Sequence, residues 1–350
     1  MSFRKDNADY EAWLATQCDV VAADIRRKHK RMGDSPFMFL RATYFRWAKK
    51  IEGLCPTLAD APRVLAVGDT HVENYGTWRD TEGRLVWGLN DFDEAASMPY
   101  VFDLVRLAAS ARLAPGMRIG RSAIAQAILA GYREGLAHPR PALLDQRESW
   151  MRPYAIGSEE SSGKFWNDMR KLPDATPPRR VARALRQSLP RDAEIVRFCS
   201  RVAGGGSLGR PRFVVIAQTE GGLALREAKA LVPSAWIWAQ GRKTDVSHLR
   251  ALAFGRYRAP DPFLDVDGNF VIRRIAPDSH KIELGKHAGT TLKARLLGAM
   301  ARDLAAIHAA SPVGAKALRK DLRKRPRGWL DAAAKTMAAA VQQDFRTWKG

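Results

Sequence analysis

Two short polar segments, each directly after an apolar run, carry the side chains best suited to chemistry in this chain. Residues 68–74 read GDTHVEN and follow the run 63–67, while residues 90–94 read NDFDE and follow the run 84–89. Loops at the ends of strands are where folds display reactive groups. Three carboxylates in four residues repel one another unless a cation joins them. The two segments therefore predict a polar site that binds a cation.

The spacing of these side chains matches a pattern that transfers phosphoryl groups. In protein kinases an Asn follows the catalytic Asp and, with the Asp of a later Asp-Phe pair, holds Mg²⁺, while the catalytic Asp receives the hydroxyl proton. Here Asp69 and Asn74 are five residues apart, and Asp91-Phe92 follows the second apolar run. We therefore expect Asp69 to be catalytic and Asn74 and Asp91 to hold Mg²⁺. Asp93 would support a second ion or steady the loop.

The histidine of the first segment is expected to act beside the catalytic acid. His71 lies two residues after Asp69, which already supplies a general base. We therefore predict that His71 orients the catalytic loop and does not itself transfer the proton. Asp-x-His also opens the metallophosphoesterase pattern, in which both side chains bind metal. The later Gly-Asp-x-x-Asp and Gly-Asn-His motifs that this alternative needs are absent from the sequence.

A glycine-rich segment later in the chain has the composition of a phosphate-binding loop. Gly204, Gly206 and Gly209 fit the spacing G-x-G-x-x-G, with Ser207 among them. Glycines let backbone N–H groups approach phosphates closely. A strand pattern at residues 212–217 follows, where a dinucleotide-binding fold would have a helix. We therefore expect a glycine-rich hairpin of the kinase type.

A nucleotide site also needs a cation for the phosphates, and the next strand offers two. A kinase has a Lys on the strand after the glycine hairpin. The candidates here are Arg226, which binds phosphate as a fork, and Lys229. The acid that pairs with this cation would be Glu227 or Glu283.

Helices and β-hairpins are predicted around these segments. Apolar residues recur every three to four positions over residues 9–50, which predicts two helices, the second beginning at the Ser35-Pro36 cap. Prolines and charges predict an irregular connection over residues 139–190. The other predicted elements are strands at 63–67 and 84–89, the latter in a hairpin with 75–78, a hairpin of 212–217 with 223–226, and helices from 99, at 119–136, 291–310 and 329–348.

Several motifs, in order along the chain, resemble the uncharacterised bacterial family called domain of unknown function 2252. That family is grouped with the kinase-like superfamily, and the GDxHxxN form is similar to the aminoglycoside and choline kinase branch. The resemblance extends from about residue 25 to about residue 310, and the family pattern often has a Lys at the position of Arg226. Asp103 resembles the acid that supports the catalytic loop in that branch. The motifs are SPF at 35–37, FLR at 39–41, GDTHVEN at 68–74, NDFDE at 90–94, DLVRL at 103–107, GSLG at 206–209 and REA at 226–228.

The resemblance implies an α+β chain with a two-lobed, protein-kinase-like fold. The glycine segment follows the catalytic loop by about 130 residues, whereas kinases have it first, so we expect a circular permutation. Residues 1–195 would form a helical catalytic lobe and residues 196–290 a β-rich lobe that covers the nucleotide. Residues 291–350 would be helices that return to the catalytic lobe.

These features predict a phosphotransferase that uses ATP and Mg²⁺ and acts on an unidentified small-molecule or anionic acceptor. Three alternatives stay open on the sequence alone. They are an ATP-binding pseudokinase, a nucleotidyltransferase, and a basic nucleic-acid-binding protein without catalysis. The last rests on a formal net charge of +21 and on basic runs such as 319–327, which lack the aromatic residues that stack on bases.

Composition limits the class of protein. A chain of 350 residues that is 46% hydrophobic is globular, which excludes disordered and collagen-like classes. The three cysteines have no metal-type spacing, which favours a reducing compartment. No apolar run approaches the roughly 20 residues of a membrane helix, and the first residues carry charges of both signs. We therefore expect a cytoplasmic protein without a membrane partner.

Overall fold

The computed structural model describes residues 2–117, 119–152, 159–242, 247–277, 279 and 290–350, with only the backbone for 159–160 and 290–292. These residues form a mixed α+β structure. It contains thirteen α-helices and three antiparallel sheets within the described ranges. Glu283, one of the two predicted acid partners, lies outside these ranges.

Four helices, where the periodicity predicted two, form the start of the chain. Thr43 separates the third from the fourth, because its hydroxyl donates to Phe39 O at 2.7 Å and competes with the helical bonding pattern. The third helix begins at the predicted cap, where Ser35 Oγ accepts from Met38 N at 3.2 Å. The four are α1 (Phe3–Ala15), α2 (Ala22–Met32), α3 (Pro36–Ala42) and α4 (Tyr44–Leu54).

The strands that precede the two polar segments are present, but they belong to different sheets. β1 (Arg63–Ala66) pairs with β4 (Ala96–Pro99). β2 (Tyr75–Arg79) and β3 (Leu85–Leu89) form the predicted hairpin, and β5 (Ala142–Leu143) extends their sheet. Two helices follow β4, as predicted: α5 (Tyr100–Leu113) and α6 (Arg121–Ala137).

The proline-rich connection is more ordered than predicted. It contains a 3₁₀ turn at Ser149–Met151 and two helices, α7 (Glu159–Arg170) and α8 (Arg179–Gln187). Pro178 immediately precedes α8, a position at which proline does not interrupt a helix. α8 packs Val181 and Leu185 on one face of a five-stranded sheet, while Phe165 and Trp166 of α7 pack on the other.

The five-stranded sheet is antiparallel and has the strand order β6-β7-β8-β10-β9. The predicted hairpin of 212–217 with 223–226 is β7 with β8, and β8 continues four residues beyond Arg226. Two short helices, α9 (Ala235–Ala239) and α10 (Leu249–Ala253), connect β8 to β9. The strands are β6 (Glu194–Ser200), β7 (Arg212–Thr219), β8 (Gly222–Ala230), β9 (Asp265–Asp267) and β10 (Phe270–Arg274).

Three helices end the chain and pack with α1–α6 around the largest hydrophobic core. They are α11 (Thr290–Ala309), α12 (Gly314–Lys324) and α13 (Trp329–Lys349). The first and third match the predicted helices at 291–310 and 329–348. α11 touches α6 where Gly135 leaves room, since a β-carbon there would lie 2.6 Å from Arg302 O.

The three cysteines are free thiols, two of them buried. Among the described residues, no helix has both the length and the apolar character needed to cross a membrane.

Candidate functional site

The loop that carries Asp69 is held from behind by a buried carboxylate on α5. The oxygens of Asp103 accept hydrogen bonds from Val67 N at 2.7 Å and from Gly68 N at 2.9 Å. His308 on α11 contacts the same carboxylate at 3.0 Å. Asp103 therefore fixes the loop to α5 and α11.

Gly68 is required by the backbone at the start of this loop. Its φ is +84°, a conformation that side chains disfavour. A β-carbon there would lie 2.7 Å from the hydroxyl of Tyr44 and closer still to Glu94 O. The glycine of the motif is therefore required by its backbone conformation and by close packing.

Asp69 lies at the centre of the site, and its counter-ion is Arg106. Arg106 donates to Asp69 Oδ1 from Nε at 3.0 Å and from Nη2 at 2.5 Å, and faces the ring of Trp47 at 5.0 Å. Burial raises the pKa of Asp69, and Arg106 opposes this only in part, so that the pKa stays above its ordinary value. Sequence reasoning gave Arg106 no role. Arg106 is three residues after Asp103, so the two side chains lie on one face of a helix. This spacing could have indicated that Arg106 faces the same loop as Asp103.

His71 lies beside Asp69, but its ring does not hydrogen-bond to the nearest carboxylate oxygen of Asp69. Its Nε2 is 3.9 Å from Asp69 Oδ2, beyond hydrogen-bond distance. Its Nδ1 accepts from Glu73 N at 3.2 Å, which in the neutral ring leaves the proton on Nε2. This arrangement fits a side chain that orients the loop.

Asn74 joins the two polar segments. Its amide nitrogen donates to Asp69 O at 3.0 Å and to Asp91 O at 3.2 Å. Because the nitrogen makes both bonds, the amide oxygen is the atom that can coordinate a cation. The structure thus brings together three of the residues predicted for the catalytic and metal sites.

The second segment meets a lysine from the five-stranded sheet. Lys229 Nζ lies 3.2 Å from Asp91 Oδ2 and 2.5 Å from Asp93 Oδ2. Burial raises the pKa of Asp91, but Lys229 outweighs it and holds the pKa well below the usual range. Burial and then the neighbouring Asp91 raise the pKa of Asp93. The carboxylates are thus joined by a cation, as their close spacing requires.

Arg210 is a second cation at this segment, and the sequence gave no sign of it. It is 4% exposed and donates to Asp93 at 3.1 Å and to Glu94 at 2.8 Å. Glu94 also accepts from Ala235 N at 2.6 Å, at the start of α9. Asp93 and Glu94 are therefore structural acids that hold the glycine segment and α9 against the loop.

The glycine segment joins β6 to β7 and reaches over Asp69. A β-carbon on Gly206 would lie 2.8 Å from Arg41 O and 3.7 Å from Asp69 Oδ2. Gly204 and Gly209 adopt φ of +85° and +98°. The segment is therefore a tight turn whose tip lies close to the loop that carries Asp69.

The two basic candidates on β8 point in opposite directions. They are three residues apart, and successive side chains of a strand alternate between faces. Arg226 donates from Nε to Ser188 O at 2.9 Å and stacks on Phe263 at 4.5 Å, away from the acids. Lys229 reaches Asp91. The structure therefore brings Lys229, and not Arg226, to the predicted metal ligands.

Glu227 does not pair with Lys229. It is fully buried and binds three arginines, Arg201, Arg212 and Arg273, each at 2.7 Å. Burial raises the pKa of Glu227, but the arginines outweigh it and hold the pKa well below the usual range. Three guanidinium groups share one carboxylate, which leaves an excess of positive charge beside the glycine segment.

These arginines line a cavity of about 530 Å³, within the roughly 300–1,000 Å³ of small-molecule sites. Asp91 and Ser207 lie at one side of it, and it is bordered elsewhere by apolar and aromatic side chains such as Trp78, Phe92 and Phe165. A molecule with a flat apolar part and an anionic part would find both surfaces in this cavity.

Helix α11 also positions the second segment. Asp303 accepts from Leu89 N at 2.8 Å, at the end of β3, and from Arg258 Nη1 at 2.8 Å. Gly88 permits this approach, because a β-carbon there would lie 2.7 Å from the Asp303 carboxylate. One C-terminal helix thus holds both polar loops in place.

The oxygen ligands suit Mg²⁺ bound together with a phosphate. No group of three or more His, Cys, Asp or Glu side chains in the described ranges is arranged to hold a metal by itself. The amide oxygen of Asn74 and the carboxylate of Asp91 supply hard oxygen ligands. Mg²⁺ is usually held by one or two carboxylates with the remaining positions filled by water and substrate phosphates.

Comparison with known proteins finds a similarity to one family over part of the chain. A family model described as an uncharacterized protein conserved in bacteria, DUF2252, matches residues 20–187. No curated protein and no solved structure matches the chain. The matched range contains both polar segments, Asp103 and Arg106. It ends before the glycine segment and Lys229, whereas the resemblance in motifs extends to about residue 310. Over residues 20–187 the chain is therefore similar to the bacterial family DUF2252.

Proposed function

We propose that this protein is a Mg²⁺-ATP-dependent phosphotransferase with a permuted kinase-like arrangement. One observation carries the proposal: the tip of the glycine segment lies close to Asp69. A β-carbon built on Gly206 would be 3.7 Å from Asp69 Oδ2. A phosphate held by that turn would face the carboxylate that receives the acceptor proton. The acids and the turn are more than 100 residues apart in sequence, so this proximity is a property of the fold.

The order of elements around the glycine segment supports the same reaction. In kinases a glycine-rich loop covers the phosphates and a Lys on the third strand contacts them. Here β6, the glycine segment, β7 and β8 follow in that order, and Lys229 lies on β8. The acidic loops precede this unit in the chain, which is the reason for proposing a permutation.

The cavity beside Asp91 is the proposed nucleotide site. Arg201, Arg212 and Arg273 would face the phosphates, because together they exceed the charge of Glu227. ATP would supply the transferable phosphoryl group, and Mg²⁺ would neutralise phosphate charge when bound to Asn74 and Asp91. Binding of Mg²⁺ at Asp91 would free Lys229 to turn toward the phosphates.

The remaining side chains have distinct roles in this proposal. Asp69 accepts the hydroxyl proton of the acceptor at Oδ2, while Arg106 fixes Oδ1. The raised pKa of Asp69 suits proton transfer, because a base is most effective when its pKa approaches the working pH. His71 orients the loop, and Asp93 steadies it through Arg210.

Calorimetric titration of ATP with and without Mg²⁺ tests the proposal. We expect micromolar, Mg²⁺-dependent binding that weakens about tenfold or more in Asp91→Asn, equivalent to about 1.4 kcal/mol or more. The control is Asp267→Asn on β9 of the five-stranded sheet, which removes an ion pair with Arg180 outside the cavity. This variant should bind MgATP as the wild type does.

Absence of heat with ATP, ADP and GTP would contradict the proposal and make nucleic-acid binding the next test. If ATP binds, the products distinguish the reactions. ADP indicates phosphoryl transfer, AMP with pyrophosphate indicates nucleotidyl transfer, and neither product over hours indicates a pseudokinase.

Two neighbouring glycines provide a test of the glycine segment. A β-carbon at Gly206 meets Arg41 O at 2.8 Å, whereas one at Gly205 has no neighbour closer than 3.7 Å. We expect Gly206→Ala to displace the turn and weaken MgATP binding about tenfold or more. Gly205→Ala should remain within about threefold of the wild type. Equal affinities of the two variants for MgATP would show that the glycine segment is not part of the nucleotide site.

A further inference from the structure

A second, smaller pocket is lined by Asp69. Its volume is about 70 Å³, and it shares Asp91, Gly204 and Ser207 with the large cavity. Its inner wall comes from the N-terminal helices, with Tyr10, Lys28 and Arg41 among the lining residues. The two pockets therefore meet at the acids and the glycine segment. If the large one holds the nucleotide, the small one is on the acceptor side.

Lys28 is the unusual group in this pocket. It is 1% exposed, and its ammonium group makes no hydrogen bond or ion pair with any residue that the structure describes. Its nearest partners are the rings of Tyr10 and Phe45, at 5.6 and 5.8 Å. Burial lowers its pKa to about 8. A buried, unpaired ammonium is costly, and proteins normally supply such a group with a counter-charge.

Glu11 and Glu94 favour the charged form of Lys28 at longer range, but each of these carboxylates has a closer partner, which for Glu11 is His29 at 2.7 Å. Asp69 is paired with Arg106, and Asp93 and Glu94 are paired with Arg210. Arg41 binds Glu73 at 2.5 Å, and its Nε is buried without a partner among the described residues. Within the described residues, the pocket thus has one ammonium group without a hydrogen bond or ion pair and one guanidinium N–H without an acceptor.

The size of the pocket limits what can enter. One water needs about 10–15 Å³ on the same scale, so about 70 Å³ accommodates roughly five to seven non-hydrogen atoms. A hydroxy acid of two or three carbons has this size. The unpaired cation opposes amine acceptors of the aminoglycoside and choline type.

We propose that this pocket binds the acceptor as a small hydroxy acid, with its carboxylate at Lys28 and its hydroxyl at Asp69. The inference rests on the proposed phosphotransferase function. The hydroxyl oxygen bonds to the γ-phosphorus of ATP while the bond to the bridging oxygen breaks. That electron pair leaves with ADP, and the hydroxyl proton passes to Asp69. The product is a phosphorylated hydroxy acid.

The test compares anionic acceptors with neutral ones of the same carbon chain. Glycolate, lactate and glycerate are paired with ethylene glycol, propane-1,2-diol and glycerol, and ADP release and phosphoester formation are measured with MgATP. We expect at least one hydroxy acid to raise ADP release about tenfold or more above the rate with water, and its neutral partner to have no effect.

Lys28→Met removes the charge and keeps the length of the side chain. We expect kcat/KM for the active hydroxy acid to fall about tenfold or more, with the Kd of MgATP unchanged. The matched control is Lys30→Met, an exposed lysine on the same helix, which should behave as the wild type. Calorimetry of the hydroxy acid, with a non-hydrolysable ATP analogue bound, gives a readout that is independent of turnover.

Distinct results would overturn the two proposals. If MgATP does not bind, the proposed function fails and this assignment fails with it. If MgATP binds but no hydroxy acid exceeds its neutral partner, or Lys28→Met keeps the full stimulation, the acceptor assignment is wrong while the nucleotide site stands.

Discussion

Replacing Asp69 by Asn should lower the rate of ADP formation from MgATP by about 10²–10⁴, the usual contribution of a positioned general base. The Kd of MgATP should stay within about threefold of the wild type, because the metal ligands and the glycine segment are unaltered. The amide oxygen can still accept from Arg106, so the buried guanidinium keeps a partner and the chain should fold. Single-turnover formation of ADP, with calorimetry of MgATP, measures both quantities.

A matched control separates loss of the base from loss of a buried acid. Asp344 is buried and accepts from Arg46 Nε and Lys50 Nζ, each at 3.0 Å, outside both pockets. Asp344→Asn should weaken folding to a similar extent and retain turnover per folded molecule. An Asp69→Asn protein that binds MgATP and turns it over at the wild-type rate would exclude Asp69 as the base.

Replacing Asp103 by Ala should lower the free energy of unfolding by about 3–5 kcal/mol. Two buried backbone N–H groups, those of Val67 and Gly68, would lose their acceptor, at about 1–3 kcal/mol each. His308 would lose its partner as well. Urea denaturation measures the change, and turnover should fall because the loop that carries Asp69 is released.

Comparison with two other variants identifies the cause. Asp103→Asn keeps one acceptor oxygen and should cost about half as much. Asp321→Ala removes a partly exposed acid that accepts from Tyr100 at 2.8 Å and from Arg325 Nε at 2.9 Å, and should cost about 1–2 kcal/mol. If Asp103→Ala stays within about 1 kcal/mol of the wild type, the carboxylate does not hold the loop and the positioning argument fails.

In the proposed mechanism, the N-terminal helices support both binding sites. α2 contacts the glycine segment through Arg31, which donates to Gly204 O at 2.8 Å, and Val21, the residue before α2, donates from its backbone N to Gly209 O at 2.9 Å. The same helix carries Lys28 into the pocket beside Asp69. Nucleotide and acceptor sites would therefore share one support, and a shift of α2 would alter both.

The sequence determined the local parts of this protein. The five-residue spacing of Asp69 and Asn74, the acids directly after an apolar run and the glycine spacing each follow from neighbouring residues. Periodicity also predicted α5, α6, α11, α13 and the β7–β8 hairpin, because burial of one face repeats every 3.6 or every two residues. A resemblance in ordered motifs led to the family that matches residues 20–187.

Only the tertiary structure decided which charges meet. The choice between Arg226 and Lys229 depended on how far β8 continues, and the predicted strand ended at Arg226, so its alternation could not be carried to residue 229. β1 pairs with β4, a contact across about 30 residues that no local pattern contains. Arg210 and Lys28 look like ordinary surface charges in the sequence. Their burial depends on which distant groups surround them, and local periodicity carries no information about those contacts.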